Sequence, residues 1–282
     1  MTAGETIRGM LELTRPVNVI AASALTFIGA FVAGGNLATF EVWTAVVATG
    51  LAVGAGNAIN DYFDREIDQI NRPERAIPRG AVRPRTALGF SVVLFAGAVA
   101  LALMLPWQAV AIATINLVAL VAYTELFKGL PGLGNALVAY LVGSTFLFGA
   151  AAVGRIEPAV VLFVLAAIAT LTREVIKDVE DLEGDREEGL NTLPIAIGER
   201  RALQLAAALL VVGILASPAP YLLGYFGIAY LILVIPADAI MLYAAVRSFD
   251  DPSVGQSTLK YGTFLAALAF VVGRAVLAFG AG

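Results

Sequence analysis

The chain contains no cysteine and no histidine. Without cysteine there is no disulfide and no thiolate ligand, and without either residue the usual protein donors to zinc or haem iron are missing. The same absence excludes histidine-based acid–base catalysis. Any metal bound here is therefore held by oxygen. Charge is also scarce, with 14% of residues being Asp, Glu, Lys or Arg, against about 25% in ordinary soluble domains. The formal net charge of -4 and the lack of a basic tract give no sign of a nucleic-acid partner. Met1 to Leu13 carries Glu5, Arg8 and Glu12 and lacks the basic start, short apolar core and cleavage site of a signal peptide, so the first span is expected to be retained.

What is present is apolar: 59% of 282 residues are hydrophobic, in runs long enough to cross about 30 Å of hydrocarbon. The pattern predicts an all-α, polytopic membrane bundle of about nine helices, forming a single domain over residues 1–282. The expected spans are Pro16 to Gly34, Phe40 to Ile59, Ala87 to Leu105, Gln108 to Leu126, Asn135 to Val153, Pro158 to Ile176, Ala202 to Leu215, Tyr221 to Val246 and Tyr261 to Phe279. Ala202 to Leu215 is short and Tyr221 to Val246 is interrupted by Pro236, which leaves a count of eight open. With nine spans and a cytoplasmic N-terminus, every lysine and arginine except Arg155 and Arg274 falls on the cytoplasmic side of a cell membrane. The external links are short. Two cytoplasmic connections, Asp61 to Thr86 and Lys177 to Arg201, are long and polar, and function is expected there.

Each of these regions begins with regularly spaced aspartates. The second span runs into Asn57, Asn60, Asp61, Asp64 and Asp68, and at about 100° per residue the three carboxylates share one helical stripe. The sixth span ends in Asp178, Asp181 and Asp185, with the same D-x-x-D-x-x-x-D spacing. Like charges on one stripe repel unless a cation sits between them. Oxygen-only clusters suit Mg2+, a hard ion commonly completed by substrate phosphate oxygens. A diphosphate is the natural bridge between two such stripes. Arg72, Arg75, Lys128, Arg173 and Lys177 lie on the same side and are candidates for its remaining oxygens. The plainer reading of the acids is a solvated helix end paired with arginines, and of the bases, positive-inside topology alone.

At these residues the sequence resembles the UbiA superfamily of intramembrane prenyltransferases, whose first motif is N-D-x-x-D-x-x-x-D and whose second is D-x-x-D-x-x-x-D. Asn60, Asp61, Asp64 and Asp68 match the first, and Asp178, Asp181 and Asp185 the second. Arg15-Pro16-x-Asn18, the loop from Asn71 to Gly80, and Tyr123 with Lys128 extend the likeness over nearly the whole chain. The resemblance implies a central cavity capped by cytoplasmic loops, a prenyl diphosphate held with Mg2+ between the motifs, and a prenyl tail in a cavity open to lipid. It implies metal binding by Asn60, Asp61, Asp64, Asp68, Asp178, Asp181 and Asp185. Substrate contacts are implied for Arg15, Asn18, Asn60, Arg72, Arg75, Lys128, Arg173 and Lys177. Asp64, Asp68, Asp181, Asp185, Tyr123 and Lys128 would serve catalysis, with the Tyr123 ring shielding an allylic cation; a membrane-interface anchor is the alternative role for Tyr123.

Within the superfamily, Asp61-Tyr-Phe-Asp-Arg-Glu-Ile-Asp68 followed by Ile-Asn-Arg-Pro most resembles archaeal digeranylgeranylglyceryl phosphate synthases. The loop of that branch usually ends Pro-Ser-Gly, whereas here it reads Pro78-Arg79-Gly80. The implied reaction moves geranylgeranyl from its diphosphate to geranylgeranylglyceryl phosphate in ether-lipid synthesis. Transfer to an aromatic acceptor such as 4-hydroxybenzoate remains an alternative, as does a non-enzymatic ion-coupled transporter. The D-G-x-x-A-R run of CDP-alcohol phosphotransferases is absent. Asp238, within the eighth span, is expected to face the bundle, either helping to deprotonate an acceptor or pairing with a neighbour.

Overall fold

The computed structural model describes residues 3–122, 130–187 and 189–280. Tyr123 and Lys128 lie outside the described residues. The described elements are α-helices: α1 (Ala3–Leu13), α2 (Pro16–Val32), α3 (Phe40–Phe63), α4 (Arg65–Asn71), α5 (Pro84–Ala102), α6 (Trp107–Ala122) and α7 (Leu133–Ala152) in the first half. They continue as α8 (Glu157–Glu180), α9 (Leu182–Glu187), α10 (Leu193–Ile197), α11 (Glu199–Ala216), α12 (Ala219–Leu222), α13 (Ile228–Arg247) and α14 (Pro252–Phe279).

Seven helices among the described residues are long and apolar enough to cross a membrane, or eight if the bent α1–α2 pair counts as one span, so the chain is a multi-pass membrane protein. The expected apolar segments fall on helices where they are described; the fourth, Gln108 to Leu126, extends past Ala122 beyond the described residues, and among these the count of nine is not reached. The eighth segment is corrected at its start. It was expected from Tyr221, yet α13 begins only at Ile228, because Pro218 and Pro220 end the preceding run in the single turn α12 and Gly224 reverses the chain at φ 76°. Conversely, α14 starts nine residues before the expected Tyr261, where Pro252 occupies its first turn and the Asp251 side chain accepts a 3.1 Å hydrogen bond from the Val254 amide.

Apolar contact alone does not drive helices together in lipid, since the tails are as apolar as leucine; close packing does. α7 is the central helix, packed against α2, α3, α6 and α8, and 56% of its apolar window is buried. Small residues make this approach possible. A side-chain carbon added at Gly149 would strike the Thr26 carbonyl of α2, and one at Gly29 would strike the Phe146 carbonyl of α7. Gly35 meets Val153 at one end of this pair, so α2 and α7 run in the same direction. A second packing centre stacks Phe226, Tyr230 and Phe270, with Phe146 edge-on to Phe270, tying α13 and α14 to α7. Such aromatic pairs contribute about 0.5–1.5 kcal/mol each beyond their burial.

Asp238 is buried on α13 and accepts a 2.5 Å hydrogen bond from the Ser217 hydroxyl, while the Tyr230 hydroxyl donates to the Ser217 carbonyl at 2.6 Å. This network ties the α11–α12 corner to α13, and of the two roles left open for Asp238 it is the pairing with a neighbour that these contacts display. At the end of the bundle where α2 finishes, Arg155 and Arg274 both approach Gly34. The other end carries both aspartate motifs.

Candidate active site at the motif-bearing end

The two motifs share a backbone plan. α3 stops at Phe63, Asp64 takes φ -80° and ψ 3°, and α4 begins at Arg65. α8 stops at Glu180, Asp181 takes φ -87° and ψ 4°, and α9 begins at Leu182. In both cases the middle aspartate occupies the sparsely populated bridge region, where many active-site residues sit. The stripe expected on one continuous helix is thus broken at its centre. It nevertheless survives, because the i to i+4 hydrogen bonds run through the break: Asp64 to Asn60 at 2.9 Å, Asp68 to Asp64 at 2.8 Å, Asp181 to Lys177 at 2.9 Å and Asp185 to Asp181 at 2.9 Å.

Around the first motif, Asp61 and Asp68 are buried, at 6% and 5% exposure, and each is met by arginine. Arg15 Nη2 lies 2.6 Å from Asp61 Oδ1, and Arg75 Nη1 lies 2.6 Å from Asp68 Oδ2 and 3.4 Å from Asp61 Oδ1. Arg15 is the one non-glycine residue of positive φ among the described residues, at φ 50°. It forms the 48° bend between α1 and α2. Asn57 Nδ2 donates to the Thr14 carbonyl at 2.9 Å and pins that bend to α3. Asn60 and Asp64 are half-buried, whereas Asn18 and Arg72 are exposed.

The Arg72–Arg79 segment folds back over α1. Val82, Ala76 and Ala81 pack beside Gly9, and Leu13, Ala58, Ile77 and Ala87 close a small core beneath. Arg79 Nη2 reaches Glu12 Oε2 at 2.5 Å and its Nη1 donates to the Glu74 carbonyl at 2.8 Å. The cleft that results has a volume of about 560 Å3 and is lined by Glu12, Arg15, Asp61, Arg72, Glu74, Arg75, Ala76 and Arg79. Four guanidinium groups around one opening suit a phosphorylated ligand.

At the second motif, the Asn135 amide at the start of α7 donates to Asp178 Oδ2 at 2.8 Å. Lys177 Nζ stands 3.5 Å from Asp181 Oδ2, and Arg173 Nη1 lies 2.8 Å from Glu174 Oε1. Asp181 is half-exposed. Burial raises the pKa of Asp185 from its ordinary value, the Thr192 side chain opposes the shift, and the nearby Asp181 charge adds to it. A carboxyl in that position gains from a cation.

No group of three or more Asp or Glu side chains among the described residues is gathered closely enough to hold a metal ion by itself. Magnesium does not require such a cage, since it keeps several waters and takes one or two carboxylates together with substrate phosphate oxygens. Two sets of oxygen donors at the same end of the bundle, bridged by α7, fit that mode. Sequence reasoning passed over Glu12, Arg79 as a contact residue, and Asn135. The signal available for Arg79 was its place in an otherwise familiar loop, and for Asn135 a polar residue at a span's first turn.

The model of the UbiA prenyltransferase family matches residues 22–276. The chain belongs to that family. As a UbiA prenyltransferase it is an enzyme, which sets aside the ion-coupled carrier. It is 65% identical over 271 residues to the digeranylgeranylglyceryl phosphate synthase of Natronomonas pharaonis, covering 96% of this chain and 98% of that one. It is 60% identical over 278 residues to the synthase of the same name from Haloquadratum walsbyi, covering 98% and 97%. A solved digeranylgeranylglyceryl phosphate synthase superposes with a TM-score of 0.83 at 36% identity, over 96% of this chain and 99% of that one. A UbiA homologue from Archaeoglobus fulgidus, bound to DMAPP and Mg2+, shares the fold with a TM-score of 0.73 at 20% identity, over 96% and 99%.

Proposed function

We propose that this UbiA prenyltransferase transfers a geranylgeranyl group from geranylgeranyl diphosphate to geranylgeranylglyceryl phosphate, forming the second ether bond of an archaeal-type lipid. The observation that carries this reading is the 65% identity, maintained over 96% of the chain, to a relative that bears the synthase name. The arginine-lined cleft beside the first motif supports it, because both substrates would be phosphorylated.

Breaking an allylic carbon–oxygen bond leaves a diphosphate anion, so catalysis rests on stabilising negative charge at the leaving group. Bound Mg2+ would supply that stabilisation as a Lewis acid on the diphosphate oxygens. Asn60, Asp61, Asp64 and Asp68 on one side and Asp178, Asp181 and Asp185 on the other are its proposed holders, directly or through water. Arg15 and Arg75 hold Asp61 and Asp68 in place before substrate arrives. Arg72, Arg75 and Lys128 are proposed to contact the diphosphate, with Arg173 and Lys177 beside the second motif. Asn18 and Tyr123 complete the proposed site, Tyr123 facing the reacting carbon. The acceptor hydroxyl then attacks that carbon, its oxygen forming the new ether bond as the diphosphate departs and its proton leaving to solvent.

The chain acts in this reading as a single domain of the cell membrane, with N-terminus and site facing the cytoplasm. Incubation of the purified protein with geranylgeranyl diphosphate, Mg2+ and either geranylgeranylglyceryl phosphate or 4-hydroxybenzoate tests the acceptor. Product masses matching the diether phosphate are expected; a prenylated aromatic ring with no diether would overturn the assignment.

A further inference from the structure

A reaction between a diphosphate and a phosphomonoester brings two polyanions together. Their repulsion must be offset at two places, since charges used to hold one are not available to the other. The aspartate motifs with their cation serve the diphosphate. The cleft between α1 and the Arg72–Arg79 segment adds one guanidinium, that of Arg79, which neither the motif aspartates nor the proposed diphosphate contacts claim. We propose that this cleft seats the phosphate of the lipid acceptor, with Arg79 as its principal contact, an inference that rests on the lipid-phosphate reading of the acceptor.

Three observations converge on it. First, the arginines of the cleft divide by partner. Arg15 and Arg75 are committed to Asp61 and Asp68 of the motif and Arg72 to the proposed diphosphate contact, whereas Arg79 is held by Glu12 and by the Glu74 carbonyl alone. The Glu12–Arg79 pair is 36% and 37% exposed, so it is the weak kind of ion pair that an incoming dianion displaces. With its guanidinium already oriented by the Glu74 carbonyl, Arg79 can present a fork to two phosphate oxygens.

Second, the cleft is placed for a lipid. Ile7 and Leu11 lie one helical turn apart on α1 and are 68% and 60% exposed, while Glu12 on the same helix lines the cleft. An apolar stripe on one face and charged groups on another describe a helix lying in the membrane interface, the depth at which a lipid phosphate sits. Third, the cleft adjoins the chemistry. Asp61 belongs to the first motif and also lines the cleft, and the acceptor's phosphate and reacting hydroxyl share one three-carbon glycerol unit. A volume of about 560 Å3 admits a glycerol phosphate head with its waters.

The test is steady-state kinetics of the full-length protein in nanodiscs with Mg2+ and geranylgeranyl diphosphate, using geranylgeranylglyceryl phosphate or phosphate-free geranylgeranylglycerol as acceptor. Arg79→Ala and Arg79→Gln should each raise KM for the phosphate acceptor roughly tenfold or more and leave KM for the diphosphate within about twofold. Both variants should lower kcat/KM for the phosphate-free alcohol by much less than for the phosphate acceptor. Glu12→Gln, which frees Arg79, should not raise the acceptor KM. Product formation in the native protein with an acceptor KM insensitive to Arg79 would overturn the seat alone, and so would a rise confined to the diphosphate KM. Failure of the native protein to use the phosphate acceptor would overturn the acceptor reading and the seat together.

Discussion

Asp64 and Asp181 occupy equivalent breaks, each ending a long helix with ψ within a few degrees of zero and starting a short one. Sequences that share only a spacing of aspartates have folded into the same local shape. Both middle carboxylates are thereby placed at helix corners. Asp64→Asn and Asp181→Asn should each lower diphosphate release by at least about a hundredfold, the scale of losing a charge-stabilising group. Circular dichroism and melting in detergent should stay close to native. Activity within a few-fold of native in either variant would remove these residues from the metal site.

Chelation gives an independent check. Removing divalent cations with EDTA should stop turnover, and added Mg2+ should restore it, because the cation is the proposed Lewis acid on the leaving diphosphate. Persistent turnover after exhaustive chelation would mean that arginines alone carry the leaving group.

Arg15 separates two contributions that usually travel together. Its guanidinium pairs with Asp61 while its backbone holds φ 50°. Arg15→Gly removes the charge but relaxes the left-handed backbone, whereas Arg15→Ala removes the charge and keeps the strain. Both should lose activity to a similar extent. Arg15→Gly should melt higher than Arg15→Ala by the equivalent of about 1 kcal/mol; the reverse order would show that the bend is not held at a cost.

The placement of both aspartate motifs at one end of the bundle was legible in the sequence, because spacing along a helix survives folding: Asp61, Asp64 and Asp68 needed no tertiary information to be set on one stripe. The helix breaks were not legible, since Asp64 and Asp181 carry no proline or glycine beside them to mark a change of direction. Nor was the pairing of Glu12 with Arg79, two residues brought together where the loop packs against Gly9 of α1. The bundle's spans could be read from hydropathy. The start of α13 could not, because Tyr221, Leu222 and Leu223 are apolar enough to belong to it, and only the paired prolines and Gly224 exclude them.

Asn135 illustrates the same limit at the second motif. Its amide fixes Asp178 Oδ2 at 2.8 Å and so directs the other carboxylate oxygen. Asn135→Ala should raise the Mg2+ concentration for half-maximal rate by about tenfold, as expected for losing a hydrogen bond to a charged group worth roughly 1.5–3 kcal/mol. A titration of rate against Mg2+ at saturating substrates reads this directly, and an unchanged midpoint would assign Asn135 to packing.

The contact of α2 with α7 predicts a loss of fold rather than of chemistry. Gly149→Ala places a methyl group on the Thr26 carbonyl, so the two helices must separate. Melting in detergent should fall by the equivalent of about 1–3 kcal/mol, the usual cost of overpacking, and a variant as stable as native would show that the helices can part freely.

The central claim is magnesium-dependent transfer of a prenyl group to a lipid phosphate at the motif-bearing end. Its most direct test is a single-turnover reaction with radiolabelled geranylgeranyl diphosphate, Mg2+ and geranylgeranylglyceryl phosphate, following diphosphate and labelled diether together. One diphosphate released per diether formed, with neither appearing when acceptor or Mg2+ is withheld, is the expected result. Diphosphate release that proceeds equally well without acceptor, with no labelled diether, would contradict it.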